Sequence, residues 1–126
     1  MQAVWISIGA VAGANARYWM GVLFARMLPW NFPYGTLFIN LSGSFVLGLF
    51  FAIVNVRYPS SSIGRLLIAT GFCGAYTTFS SFTYEALELI REGSWGLAAL
   101  YASGSVLAGL GAVGAGYALG GLLARA

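Results

Sequence analysis

Residues 71–82 read GFCGAYTTFSSF, two threonines and two serines set among aromatic rings with no charge, inside a stretch that is otherwise apolar. A hydroxyl carried into hydrocarbon costs free energy unless it finds a hydrogen-bond partner. A single serine or threonine commonly bonds back onto its own helix. Four within five positions point instead to a ligand or to a partner segment of protein. Phe79 and Phe82 are three apart, and Tyr76 three earlier, so the rings share one face of a helix. Such a stripe ordinarily packs in a core or faces lipid. The positive edge of a phenyl ring can also contact a small anion weakly, and weak contact suits conduction, because an ion held too tightly does not leave.

A second polar set lies in GTLFINLSGSF, residues 35–45, where Thr36, Asn40 and Ser44 are spaced by four and share a helix face. Asn40 has two readings: an interhelical hydrogen-bond clamp, or one wall of a polar track. In the second, Tyr101 and Ser105, also spaced by four, join it to replace the hydration of an anion with donors. Arg17 also has two. It marks a water-filled cavity or ion path, or it snorkels to the end of its span about two turns away.

The elements that carry these residues follow from composition. Only 7% of the 126 residues are charged and 60% are hydrophobic, against about 25% charged in a soluble domain, which makes this an all-α membrane protein. Four apolar segments, about residues 3–28, 34–56, 63–90 and 96–123, are each long enough for the roughly 30 Å core, which takes about 20 helical residues. They leave nothing over for a second domain. PWNFP (29–33), RYPSSS (57–62) and REGSW (91–95) punctuate them. The first lacks the charged start and cleavage signal of a signal peptide and reads as a mature span. Gly74 followed by hydroxyl and β-branched residues weakens the third span, so a break is expected near residues 74–78. At membrane depth, freed backbone groups are tolerated only where they face protein, water or an ion.

The nine charges are six arginines and three glutamates, without lysine, histidine or aspartate. Proton relays through His or Asp are therefore excluded. The only carboxylates, Glu85, Glu88 and Glu92, lie toward one end of a span and offer little for acid–base catalysis, so no enzyme is expected. The arginines form no cluster for nucleic acid and read as interfacial anchors. Cys73 has no partner for a disulfide or a metal site. Four spans put both termini on one side with Arg57, Arg65 and Arg125, against Arg26 and Arg91 on the other. So even a balance favours insertion in both orientations and pairing of opposed copies. Small-xxx-small spacings such as Gly9 with Gly13, and Gly116 with Gly120 beyond Gly109, favour close helix packing. From the residues alone the function stops at a channel for a small anion, or for a cation.

GAVAGANARY (9–18), GTLFINLSGSF and GFCGAYTTFSSF, in this order, resemble the signatures of the Fluc family of fluoride channels, also called CrcB proteins. The likeness covers three of four spans. Ser81 stands where the family often has threonine, which keeps the hydroxyl. The resemblance implies an antiparallel, dual-topology homodimer in the bacterial inner membrane, with two pores that let toxic fluoride leave the cytoplasm passively. It also implies a structural Na+ on the two-fold axis, held by backbone carbonyls at the break, which match Gly74 and Thr77. Phe79 and Phe82 resemble the paired rings that contact fluoride, Asn40 the pore asparagine and Arg17 the vestibule arginine. Thr36, Ser80, Tyr101 and Ser105 would line the polar track. The competing reading, a four-helix proton-coupled multidrug exporter, needs a carboxylate deep in the first span, where this chain has only Arg17.

Overall fold

The computed structural model describes residues 1–29 and 31–126; Trp30, in the PWNFP turn, lies outside the described residues. Among these, the regular structure is all helical, without a strand. The first helix is Gln2–Met27, the second Tyr34–Arg57 and the fourth Trp95–Arg125. The third is interrupted. Its leading half covers residues 62–76, as a turn Ser62–Gly64, a wide π-type stretch Arg65–Cys73 and a closing turn Gly74–Tyr76. Its trailing half is Phe79–Arg91. The second and fourth helices are long and apolar enough to cross a membrane. At 1.5 Å per residue, the 24 residues of the second reach about 36 Å, more than the hydrocarbon core requires.

Two helix pairs make up the body. The first helix lies along the leading half of the third, and the second lies along the fourth. Between the second and fourth, backbones meet directly. A Cβ on Gly48 would collide with the carbonyl oxygen of Val113, and one on Gly116 with that of Phe45. Such contact is how helices associate where lipid removes the hydrophobic drive. Gly109, from the same glycine-rich run, has nothing within 4 Å of where its Cβ would stand, so only part of that run serves packing within the chain. Arg57 closes the pair at one end, its Nε and Nη2 donating to the carbonyls of Ala124 (3.1 Å) and Leu123 (3.0 Å).

The trailing half of the third helix stops at a left-handed Gly93 (φ 79°), where Gly93 N–H donates to Ile90 O (3.0 Å) and Ser94 N–H to Leu89 O (2.8 Å). This is a Schellman ending, which needs a residue free of the Cβ penalty. It turns the chain tightly into the fourth helix. Leu89, Ala98 and Tyr101 therefore form a buried cluster with Phe82 packed on it. That cluster sets the face on which the polar residues meet.

Candidate functional site

The third helix breaks at Thr77 and Thr78, both with extended backbone (φ −79°, ψ 158° and φ −149°, ψ 121°). The Asn40 side chain fills the gap as a strand would: Thr78 N–H donates to Asn40 Oδ1 (2.8 Å), and Asn40 Nδ2 donates to Thr78 O (3.0 Å). Thr78 also caps the helix that follows, its Oγ1 accepting from Ser81 N–H (3.2 Å).

These bonds have a consequence four residues upstream. In an unbroken helix, Thr78 N–H would serve the carbonyl of Gly74, and Ser81 N–H that of Thr77. Both donors are committed elsewhere, so the Gly74 and Thr77 carbonyls lose their helical partners. The Thr77 hydroxyl is itself turned back onto Cys73 O (2.9 Å). Gly74 and Thr77 line a cavity of about 340 Å³ with Asn40, Gly43, Thr78 and Phe79. Hard neutral oxygens at the edge of such a cavity are ligands for a hard cation rather than for a soft metal.

A second cavity, of about 470 Å³, lies beside the trailing half and is lined by Thr36, Glu85, Glu88, Glu92 and Phe32 among others. Thr36 belongs to this cavity and Asn40 to the first. One turn of the second helix, about 6 Å, separates them. Alongside runs a row of rings: Phe79 to Phe82 (5.8 Å between centroids), Phe82 to Tyr101 (5.1 Å, edge-on) and Tyr101 to Phe32 (5.4 Å, edge-on). Edge-on contacts suit the ring quadrupoles.

Glu85 joins the second, third and fourth helices in this lane. Thr36 Oγ1 donates to its Oε1 (2.6 Å) and Tyr101 OH to its Oε2 (2.7 Å). Two of the four hydroxyls expected to line the track, Thr36 and Tyr101, are thus engaged by a carboxylate that sequence reasoning left out of the site. The Phe79–Phe82 stripe extended by threes runs on through Glu85 and Glu88 alike, so spacing alone does not single Glu85 out.

The other expected residues divide. Phe82, Asn40, Thr36 and Tyr101 gather in one region. Ser105, one turn beyond Tyr101, has a buried hydroxyl with no hydrogen-bond partner among the described residues. Ser80 is exposed, its Oγ 3.2 Å from Thr78 Oγ1. Phe79 lies 77% exposed at the rim of the break, uncovered by the rest of its own chain. Arg17, half-buried on the first helix, lines neither cavity and makes no hydrogen bond or ion pair among the described residues.

A broken helix with freed carbonyls beside hydroxyls and rings, among helices long and apolar enough to cross a membrane, defines the class, a helical membrane protein. Residues 4–117 match the family described as CrcB-like protein, Camphor Resistance (CrcB). A protein of Koribacter versatilis named fluoride-specific ion channel FluC is 50% identical over 105 residues, covering 83% of this chain and 80% of that one. Proteins of the same name are 42% identical in Acidobacterium capsulatum, over 95% of this chain and 96% of the relative, and 42% in Roseiflexus, over 90% of each. The chain belongs to the CrcB (FluC) family, a family of ion channels and not of enzymes.

Asn40→Leu, similar in size but without either bond, leaves the Thr78 N–H unsatisfied and should destabilise the folded protein by about 1–3 kcal/mol. Thermal unfolding in detergent checks this, and an unchanged midpoint would show that the clamp does not support the break.

Proposed function

We propose that this chain is a fluoride-selective channel that lets fluoride leave the cytoplasm passively. The working unit is an antiparallel homodimer with two pores, spanning the bacterial inner membrane several times. The observation that carries the reading is the lane from the larger cavity through Thr36 to Asn40 and the break, flanked by Phe82 and Tyr101, in a chain whose relatives are named fluoride-specific channels. The orphan Ser105 hydroxyl supports it, since a buried polar group without a protein partner calls for water or an ion. So does the uncovered Phe79 ring, which a second copy would enclose.

An anion entering from the larger cavity meets hydroxyl donors already turned toward Glu85. Passage requires Glu85 to release them, because each hydroxyl has a single proton and cannot donate to the carboxylate and to an anion at once. Asn40, gripping the break with both ends of its amide, sets the far wall, and the ring edges of Phe79 and Phe82 give contact weak enough to let fluoride go. Arg17 would draw anions toward the entrance through its charge rather than through a contact.

The Gly74 and Thr77 carbonyls would hold a structural Na+. Two carbonyls from one chain surround only one side of an ion, and the same pair from an opposed copy would complete the shell. When bound, Na+ ties the two breaks together and places a fixed positive charge near both paths.

Liposomes containing the purified protein test the function. Fluoride should leave rapidly down its gradient without a proton gradient, chloride hardly at all, and Phe79→Ile or Phe82→Ile should cut fluoride efflux by about tenfold or more. No fluoride efflux from a verified dimer would overturn the reading, and wild-type flux in both variants would remove the rings from the path. Thr77→Ser should keep both Na+ and flux, because the carbonyl is the ligand and a serine hydroxyl can still turn back to Cys73 O. Loss of both in a folded Thr77→Ser dimer would make the hydroxyl the ligand.

A further inference from the structure

We infer that Tyr76 and Ser42, which lie outside the anion lane, are positioning residues for the cation site at the break: their hydroxyl pair fixes the Thr77 carbonyl and so sets the affinity for Na+. The inference rests on the Na+ reading above and gives it a mechanism within this chain.

The geometry is local and directional. Tyr76 ends the leading half of the third helix and is only 6% exposed, with its ring stacked on Phe72 (5.5 Å between centroids, planes 15° apart). Its OH lies 2.9 Å from Ser42 Oγ. A serine hydroxyl has a single proton, and Ser42 directs it to the backbone, with Phe38 O at 2.7 Å and Ile39 O at 3.2 Å. Tyr76 is therefore the donor and Ser42 Oγ the acceptor. The residue after Ser42 allows the approach: a Cβ on Gly43 would collide with Thr77 Cγ2 and stand 3.1 Å from Tyr76 Cδ1.

Thr77 is consequently held from both sides by one helix. Upstream, the Tyr76 side chain is bonded to Ser42; downstream, the Thr78 backbone is bonded to Asn40. The Thr77 carbonyl sits between these two tethers. Thr77 stays on the leading half through its own N–H (3.0 Å) and Oγ1 (2.9 Å), both donating to Cys73 O. The Tyr76 bond ties that half sideways to the second helix, and without it the half can shift against the side of the break fixed by Asn40. A carbonyl whose place is no longer set must be ordered when an ion binds, which weakens binding without removing a ligand.

The experiment follows Na+ binding by the rise in unfolding temperature as NaCl replaces choline chloride, with the purified dimer in detergent. Tyr76→Phe should raise the Na+ midpoint about fivefold, the effect of one lost tethering hydrogen bond. Ser42→Ala should do the same, and the double variant should match the single ones rather than multiply them, because all three remove one bond. Stability without Na+ separates positioning from packing. Ser42→Ala strands the phenol donor and should unfold at the lowest temperature, whereas the double variant, with neither partner left unpaired, should return toward wild type while its Na+ midpoint stays high. Wild-type Na+ midpoints in folded Tyr76→Phe and double variants would overturn the inference. A wild-type protein whose stability ignores Na+ would overturn the cation site itself, and this inference with it.

Discussion

Two hydrogen bonds between the Asn40 amide and the backbone of Thr78, one donated and one accepted, support most of what is distinctive in this fold. Extended backbone in the middle of a membrane span would leave unpaired amides and carbonyls in hydrocarbon, which is tolerated only against protein, water or an ion. Asn40 satisfies the one residue that lies deepest in the break. Thr78 then satisfies the start of the next helix with its own hydroxyl. The Gly74 and Thr77 carbonyls, left without helical partners, line the smaller cavity, and acceptors gathered at a cavity edge are what a hard cation needs.

The helices around the break supply rigidity. Where backbone touches backbone, as at Gly48 and Gly116, a side chain has no room, so the second helix cannot slide along the fourth. The second helix is thus a fixed rail. On that rail Thr36 reaches Glu85, Asn40 reaches Thr78 and Ser42 reaches Tyr76, and each bond crosses to a different part of the third helix. One rail carries both the proposed anion lane and the tethers of the break, so the two are mechanically linked.

The sequence carried part of this legibly. Gly74, three residues ahead of Thr-Thr-Phe-Ser-Ser, predicted an interruption near residues 74–78, and the backbone leaves the helix at Thr77 and Thr78. The four-residue spacing of Thr36 and Asn40 put them on one face, and they do point into adjoining cavities. Both readings of Asn40 were open beforehand: its bonds to Thr78 are those of an interhelical clamp, and it also lines the smaller cavity. Glu85 was not legible as an inward residue, because Glu85, Glu88 and Glu92 look alike at helical spacing, and only hydroxyls from two other helices single one out. Nor does anything in RLLIATGFC mark wide turns. That stretch lies along the first helix, and such contacts are invisible to local spacing.

In the function proposed above, the break presents the Gly74 and Thr77 carbonyls to a cation shared by two opposed copies. The most direct measurement is an experimental structure of the protein in lipid nanodiscs, prepared in Na+. Ion density ringed by the Gly74 and Thr77 carbonyls of both copies, across a two-fold axis in the membrane plane, is the expected result. A well-resolved assembly in which those carbonyls face lipid, or bond only to protein with no ion between them, would contradict it.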